Sequence, residues 1–292
     1  MKSTKRLQIL GLLVLCLHLV AGAAETSVPV TTISLPGGVS LDLVTIPSGE
    51  FMMGSDAPGW SDTDEVPVHK VTFAKPFEMG KFEVTQRQWI AVMGKWPGNP
   101  PGECNGAGDS YPAYGISWTD IAGANGFIEK LNEHVKSTKQ GPATFRLPSE
   151  AEWEYACRAG SSTPFFFGNT DCEPNSCTTC SLSNYAWFCG NNSGGCGSPT
   201  HGSKPVGGKL PNAFGLFDMY GNVREWCQDM SHTSYDGAPT DGSAWITPDA
   251  TVRVLRGGYW NDLPSASSRR FASYNGPDAR NFSFGFRVVR AP

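Results

Sequence analysis

The chain has 292 residues, room for one large domain or two small ones, and its 39% hydrophobic content supplies a sizeable core. Its 34 glycines and 22 prolines exceed the roughly 12% these two types usually make up, which excludes helical bundles and coiled coils. With 23 basic against 27 acidic residues the net charge is -4, so no positive field exists to hold nucleic acid.

Lys2, Lys5 and Arg6 precede an apolar run from Ile9 to Val20, and small residues follow at Ala21, Gly22, Ala23 and Ala24. This pattern predicts a secretory signal peptide over residues 1–23, cleaved after Ala23, and delivery to the periplasm or the exterior. Leu15 stands before Cys16 where lipidation wants a small residue, so a lipid anchor is not expected. No later window approaches the ~18 apolar residues of a membrane helix, and no membrane span is expected. Residues 24–41 read as a leader and 42–292 as one domain, because no repeat, long linker or composition break divides the remainder.

Leu43, Val44, Ile46, Phe51 and Met53 form a strand-and-turn pattern broken by Pro47 and Gly49, and Val66, Val68, Val71 and Phe73 suggest a further strand. After Ser117, the positions Ile121, Ala124, Phe127, Ile128 and Leu131 recur at helical spacing, with Ser117 or Thr119 as cap. A shorter helix is predicted after Ser149, whose spacing to Glu152 makes a capping box, with Trp153, Ala156 and Cys157 on one face and Gly160 as the stop. Beyond Gly160 the chain is turn-rich, so the fold class expected is an irregular α+β domain.

Nine cysteines occur, one of them Cys16 in the signal peptide. The even number left in an exported chain predicts disulfides. Cys172, Cys177, Cys180, Cys189 and Cys196 crowd a Gly-, Asn-, Ser- and Thr-rich segment that cannot bury much core. Zinc is the rival reading, since Cys177 and Cys180 are spaced as CxxC. The histidines form neither HExxH nor HxH, and His134 reads as a surface residue; no Gly-x-Ser-x-Gly elbow or phosphate-binding loop occurs. One run carries specific chemistry, from Gly215 to Trp226, where Asp218 and Glu225 offer hard oxygen donors around the turn at Gly221. Such a loop suits calcium, and equally a tight turn with solvated carboxylates.

Read together, Ile46-Pro47-Ser48-Gly49-Glu50-Phe51-Met52-Met53-Gly54, Arg146-Leu147-Pro148-Ser149-Glu150-Ala151-Glu152-Trp153-Glu154-Tyr155-Ala156, the run 215–226, Arg256-Gly257-Gly258 and Gly285-Phe286-Arg287 resemble the formylglycine-generating enzyme, or sulfatase-modifying factor, family. The resemblance implies a single C-type-lectin-like domain with little regular secondary structure. In the enzymes of this family two cysteines after the Gly-Gly pair bind copper and oxidise a substrate cysteine with oxygen. Those positions hold Asp262 and Ser267 here, Tyr259 replaces the usual Ser, and Arg224 replaces the first Trp of Trp-Glu-Trp. Copper is therefore not expected, since it prefers thiolates. The resemblance further implies a structural calcium held by the side chains of Asp218 and Glu225 and the carbonyls of Gly221 and Val223, and a second site beginning at Asn184 and Tyr185. It also implies that the usual partner of Cys157 is replaced by Val288. Cys157 is then expected to bond Cys227, which follows the Glu225–Trp226 segment.

Two function classes follow from these substitutions. One is an exported, metal-dependent oxidoreductase of the family, comparable to its periplasmic pyoverdine-maturation members and not using the two-cysteine route. The other is a noncatalytic lectin-like module that binds a protein, peptide or small molecule on a C-terminal surface including Tyr259, Trp260, Asn261, Arg269, Arg270 and Tyr274. That segment also resembles the variable region of diversified lectin-fold proteins. About half of its aromatics are expected to pack the core instead.

Overall fold

The computed structural model describes residues 28–60, 63–248, 251–268, 270–272 and 276–291, with 267, 268 and 270–272 described by backbone alone. The expected signal peptide lies outside them. The first strand, β1 (Val30–Leu35), falls within the stretch read as a leader and pairs antiparallel with β2 (Val39–Ile46). The folded domain therefore begins before residue 42. Ile33 and Leu35 alternate on a buried face of β1 with Leu41 and Leu43 of β2, a period-2 pattern diluted in the sequence by the Thr and Ser residues between them.

β3 (Gly49–Met53) and β4 (His69–Phe73) form an antiparallel pair. β4 starts later than the valine pattern suggests, just beyond Pro67, which has no N–H to give a ladder. β5 (Phe77–Gly80) leads to α1 (Gln86–Met93), opened by a capping box of Thr85 and Gln88. The single helix expected after Ser117 is two, α2 (Trp118–Ala122) and α3 (Phe127–Thr138). Gly123 caps the first, Gly126 precedes the second, and Asn125 between them has φ 57°. The apolar spacing nonetheless reports one buried face, since Ile121, Phe127, Leu131 and Val135 all enter the same core.

β6 (Phe145–Arg146) precedes α4 (Glu150–Arg158), where the Ser149–Glu152 capping box is present and Ala159, in the left-handed region, caps the C-terminus one residue before Gly160. β7 (Ala186–Trp187) pairs in parallel with β8 (Tyr220–Gly221), and β9 (Arg224–Met230) follows. The chain closes with β10 (Arg253–Arg256), α5 (Pro264–Ser268), β11 (Arg270–Ala272), β12 (Phe284–Gly285) and β13 (Val289–Arg290). Among the described residues the sheets run β1-β2-β5-β13-β6, β11-β10-β9-β12, β3-β4 and β7-β8. This is the mixed α+β single domain expected.

Ion pairs, those of Arg256 and Arg287 buried, tie the sequence motifs to one another. Arg146 grips both oxygens of Glu152 at 2.6 Å, Arg256 pairs with Glu154, and Arg287 grips both oxygens of Glu225 at 2.6 and 2.7 Å. Arg256 and Arg287 are 2% and 0% exposed, and charges so buried persist only when paired. The RGG and GFR motifs thereby clamp α4 and β9.

Six cysteines form Cys104–Cys196, Cys172–Cys180 and Cys177–Cys189. The zinc alternative is thereby corrected. Asp171, Cys172 and Cys180 do lie together, but both sulfurs are spent in a disulfide and supply no thiolate. The expected Cys157–Cys227 bond is also corrected, for both are free and buried. α4 and β9 are joined by the Glu150 N–H, which donates to Asp229 at 2.6 Å, and by Trp153, whose indole N–H donates to Glu225 at 2.7 Å. Cys157, a turn further on, faces the Met219 carbonyl, and the Cys227 sulfur turns back on the carbonyl of Glu225. Among the described residues no helix is long and apolar enough to cross a membrane.

Candidate functional site

Two places hold the residues singled out by sequence. The first is the turn after β10, at the position of the family's copper cysteines. Asp262 accepts from Arg224 Nε at 3.0 Å and Nη2 at 2.7 and 2.8 Å, and from the Tyr259 N–H at 3.0 Å. Each partner's side chain is 12% exposed. Burial raises the Asp262 pKa above its usual range although Arg224 pulls the other way. Over this pair lie the aromatics. The guanidinium carbon of Arg224 is 4.9 Å from the Tyr259 ring centre, the Tyr259 and Trp260 rings meet edge-on at 5.6 Å, and Phe282 is 6.0 Å from both. The His201 ring meets Trp260 at 4.6 Å.

Of the aromatics in this region, Trp260 and Phe284 are buried and Phe282 is exposed, with Tyr259 between. The Trp260 indole N–H is buried and lacks a hydrogen-bond partner among the described residues. Asn261 is exposed. By backbone, Ser267 lies in α5 and Arg270 in β11, where it is paired with Arg256. Arg269 and Tyr274 lie outside the described residues. Phe282 belongs to the segment read from the sequence as a surface, whereas His201 has no sequence signal for this place, and only its contact with Trp260 puts it here.

The second place is the turn before β9. Asp218 is 2% exposed and adopts φ 55°, a left-handed conformation that Asp tolerates better than most residues. Its Oδ2 accepts from the Gly207 N–H at 2.6 Å, while its Oδ1 has no partner among the described residues. Gly221, in β8, has φ 85°, and a Cβ there would run into the Trp187 carbonyl, so only glycine fits. Val223 is buried just ahead of β9. Glu225 does not face the turn with an open carboxylate, because Arg287 and Trp153 take both of its oxygens.

Glu83, not noticed in the sequence, is the second acid with an open oxygen. It is 1% exposed, its Oε1 accepts from Asn222 Nδ2 at 3.1 Å, and its Oε2 has no partner among the described residues. Burial raises its pKa, and the neighbouring Asp218 charge raises it further. Two buried carboxylate oxygens lacking donors are the hard-ligand chemistry calcium takes. The residues present therefore fit that ion. At the other suggested site the Asn184 carbonyl accepts from the Leu210 N–H at 3.0 Å, and Tyr185 stacks on Phe167 at 4.1 Å.

A sheet-poor α+β domain whose RGG, GFR and Ser-x-x-Glu motifs lock together defines the class, a C-type-lectin-like domain of the formylglycine-generating type. Residues 38–292 match the sulfatase-modifying factor enzyme 1-like domain, and the chain belongs to that family. It is similar to chaperone protein LppX of Paenibacillus barcinonensis, 30% identical over 87% of this chain and 90% of that one. It is also similar to the inactive Cα-formylglycine-generating enzyme 2 of Bos taurus, 27% identical over 88% of this chain and 90% of that one. Among solved structures, PvdO from Pseudomonas aeruginosa superposes with a TM-score of 0.66 at 30% identity, covering 87% of this chain and 95% of PvdO.

Proposed function

We propose that this chain is an exported family member that binds a ligand at the Tyr259–Trp260–Phe282 surface, without formylglycine chemistry by the two-cysteine copper route. The observation carrying this reading is the Arg224–Asp262 pair. Where the enzymes present a copper thiolate, this chain presents a carboxylate already bound by a guanidinium. A carboxylate so held is neither a soft ligand nor a free base. The half-buried Tyr259 ring and the exposed Phe282 ring near it suit recognition of a planar or apolar group on a protein, peptide or small molecule. The similarity to a relative named as inactive points the same way. Three disulfides support export to the periplasm or the exterior, an oxidising compartment. Calcium is proposed as a structural ion at the 218–225 turn, where Asp218 would hold it and where it would supply the charge that the buried carboxylates lack.

A metal-dependent oxidase of the periplasmic pyoverdine-maturation type is the second reading, favoured by the similarity to PvdO across nearly the whole chain. One experiment separates the two: metal analysis of the mature protein, oxygen uptake over thiol and phenol substrates, and binding to peptide and glycan arrays. The binding reading expects array ligands whose capture is lost in Tyr259→Ala and no metal-dependent oxygen consumption. Catalytic, metal-dependent oxygen uptake would overturn it.

A further inference from the structure

We propose that the cavity between β3 and the C-terminal end of α4 binds a small organic ammonium ion, an apolar body carrying one protonated amine. The cavity holds about 320 Å³, within the range that small-molecule pockets occupy. Phe51 of β3 and Val68 just ahead of β4 give it an apolar lining, Tyr155 and Arg158 of α4 line it as well, and Asp56 stands in the turn after β3. It shares no residue with the Tyr259–Trp260–Phe282 surface.

Tyr155 is 6% exposed, its ring packed on Phe73 at 4.7 Å and on Phe51 at 5.4 Å. With the ring so enclosed, the hydroxyl is the group that Tyr155 offers to the cavity. It has no hydrogen-bond partner among the described residues, whereas a buried tyrosine ordinarily has one. A Cβ at position 49 would stand 2.5 Å from the hydroxyl oxygen, so Gly49 is what leaves the hydroxyl its room. The phenol is uncharged at neutral pH, and its oxygen accepts a hydrogen bond.

The charges around the cavity select the sign of the ligand. Arg158 does not make it a site for acids. Its Nε donates to Glu154 at 2.8 Å, Nη2 to the Gly54 carbonyl at 2.9 Å and Nη1 to the Thr163 carbonyl at 3.4 Å, so every nitrogen is engaged and Glu154 answers the charge. Glu50, also in the lining, has Lys70 at 2.8 Å. Asp56 is exposed and has no partner among the described residues, which leaves its carboxylate as the unanswered charge of the lining. The C-terminal end of α4 lies here too, where the helix dipole favours a cation. Water would satisfy the Tyr155 hydroxyl but has no preference for the apolar lining. An amine on a short apolar body meets both, with the half-buried Phe51 ring beside it.

The test is calorimetric titration of benzylamine into the mature protein at neutral pH, with benzyl alcohol and benzoate as the neutral and anionic counterparts. Wild type, Asp56→Asn, Tyr155→Phe and Ser162→Trp are compared, with circular dichroism to establish folding. Wild type should bind one benzylamine about fivefold more tightly than benzyl alcohol, as expected of an exposed carboxylate partner, and should not bind benzoate. Asp56→Asn should remove that preference, Tyr155→Phe should weaken both ligands, and Ser162→Trp, at an exposed lining residue, should block them. No saturable benzylamine binding by wild type would overturn the proposal, and so would benzoate binding as tight as benzylamine. Unchanged benzylamine affinity in Asp56→Asn, or in folded Ser162→Trp, would overturn it as well. Should Tyr155→Phe not fold, the exposed positions 56 and 162 decide the matter.

Discussion

Arg224 and Asp262 form a two-point ion pair where relatives that make formylglycine carry a tryptophan and a copper-binding cysteine, with both side chains almost wholly withdrawn from water. The two replacements explain each other. A carboxylate buried at that turn needs a counter-charge, and position 224, at the start of β9, is where one can reach it.

Removing one member of this pair should cost more than removing both. Arg224→Ala leaves Asp262 buried with only the Tyr259 N–H recorded against it, and the expected loss is about 3–5 kcal/mol. The double variant Arg224→Ala/Asp262→Ala should recover a large part of that. Urea denaturation of the two single variants and the double one gives the coupling, and strictly additive losses would contradict the pairing.

The two free thiols make a separate check on the fold. Burial pushes Cys157 up to about 12 and raises Cys227 strongly as well, so both stay protonated near neutral pH and neither is a nucleophile. An aromatic disulfide reagent should find no reactive thiol in the native mature protein and two after denaturation without reductant. Peptide mapping should recover the three disulfides of the structure. A Cys157–Cys227 peptide would contradict it.

These residues also mark how far the sequence could be read. α4 was legible because its cap, its apolar face and its stop are all local signals. α1 carries an equally local signal, the Thr85–Gln88 capping box. The break between α2 and α3 was masked by an apolar period continuing across Gly123 and Gly126, since packing into one core does not require one helix. The disulfide partners, the Arg287–Glu225 pair and the approach of Glu83 to Asp218 are contacts between distant segments. Glu83 in particular lies among Phe82, Val84 and Thr85 with no local cue to its counterpart 135 positions away.

Acid should stabilise the calcium-free protein before it harms it. Burial, with help from Glu225 and against Gly207 N–H and Arg287, pushes Asp218 up to about 6. The folded chain therefore keeps a proton that the unfolded chain has already released, and this group's contribution falls as pH rises from about 4 through 6, by on the order of 2–3 kcal/mol. Urea midpoints in chelator should drop across that window, and Asp218→Asn should flatten the drop. Saturating calcium should raise the midpoint at neutral pH by mass action. A wild type whose midpoint shows no pH dependence specific to Asp218 would contradict the burial argued for this carboxylate.

The last expectation concerns the reaction for which the family is known. Given copper, oxygen and a sulfatase-type cysteine peptide, the mature protein should produce no formylglycine. Copper(I) in such a site needs thiolates, and the chain has no cysteine after Cys227. Relocated cysteines do not supply them, since six are spent in disulfides and the other two are buried and protonated. Asp262 offers a hard carboxylate already committed to Arg224. Substituting Asp262→Cys alone should not restore activity, because Arg224 would then stand uncompensated beside the new thiol and position 267 would still carry serine. Mass spectrometry of the incubated peptide reads the outcome, and formylglycine above the protein-free control would mean that this chain makes the product by a route its cysteines do not provide.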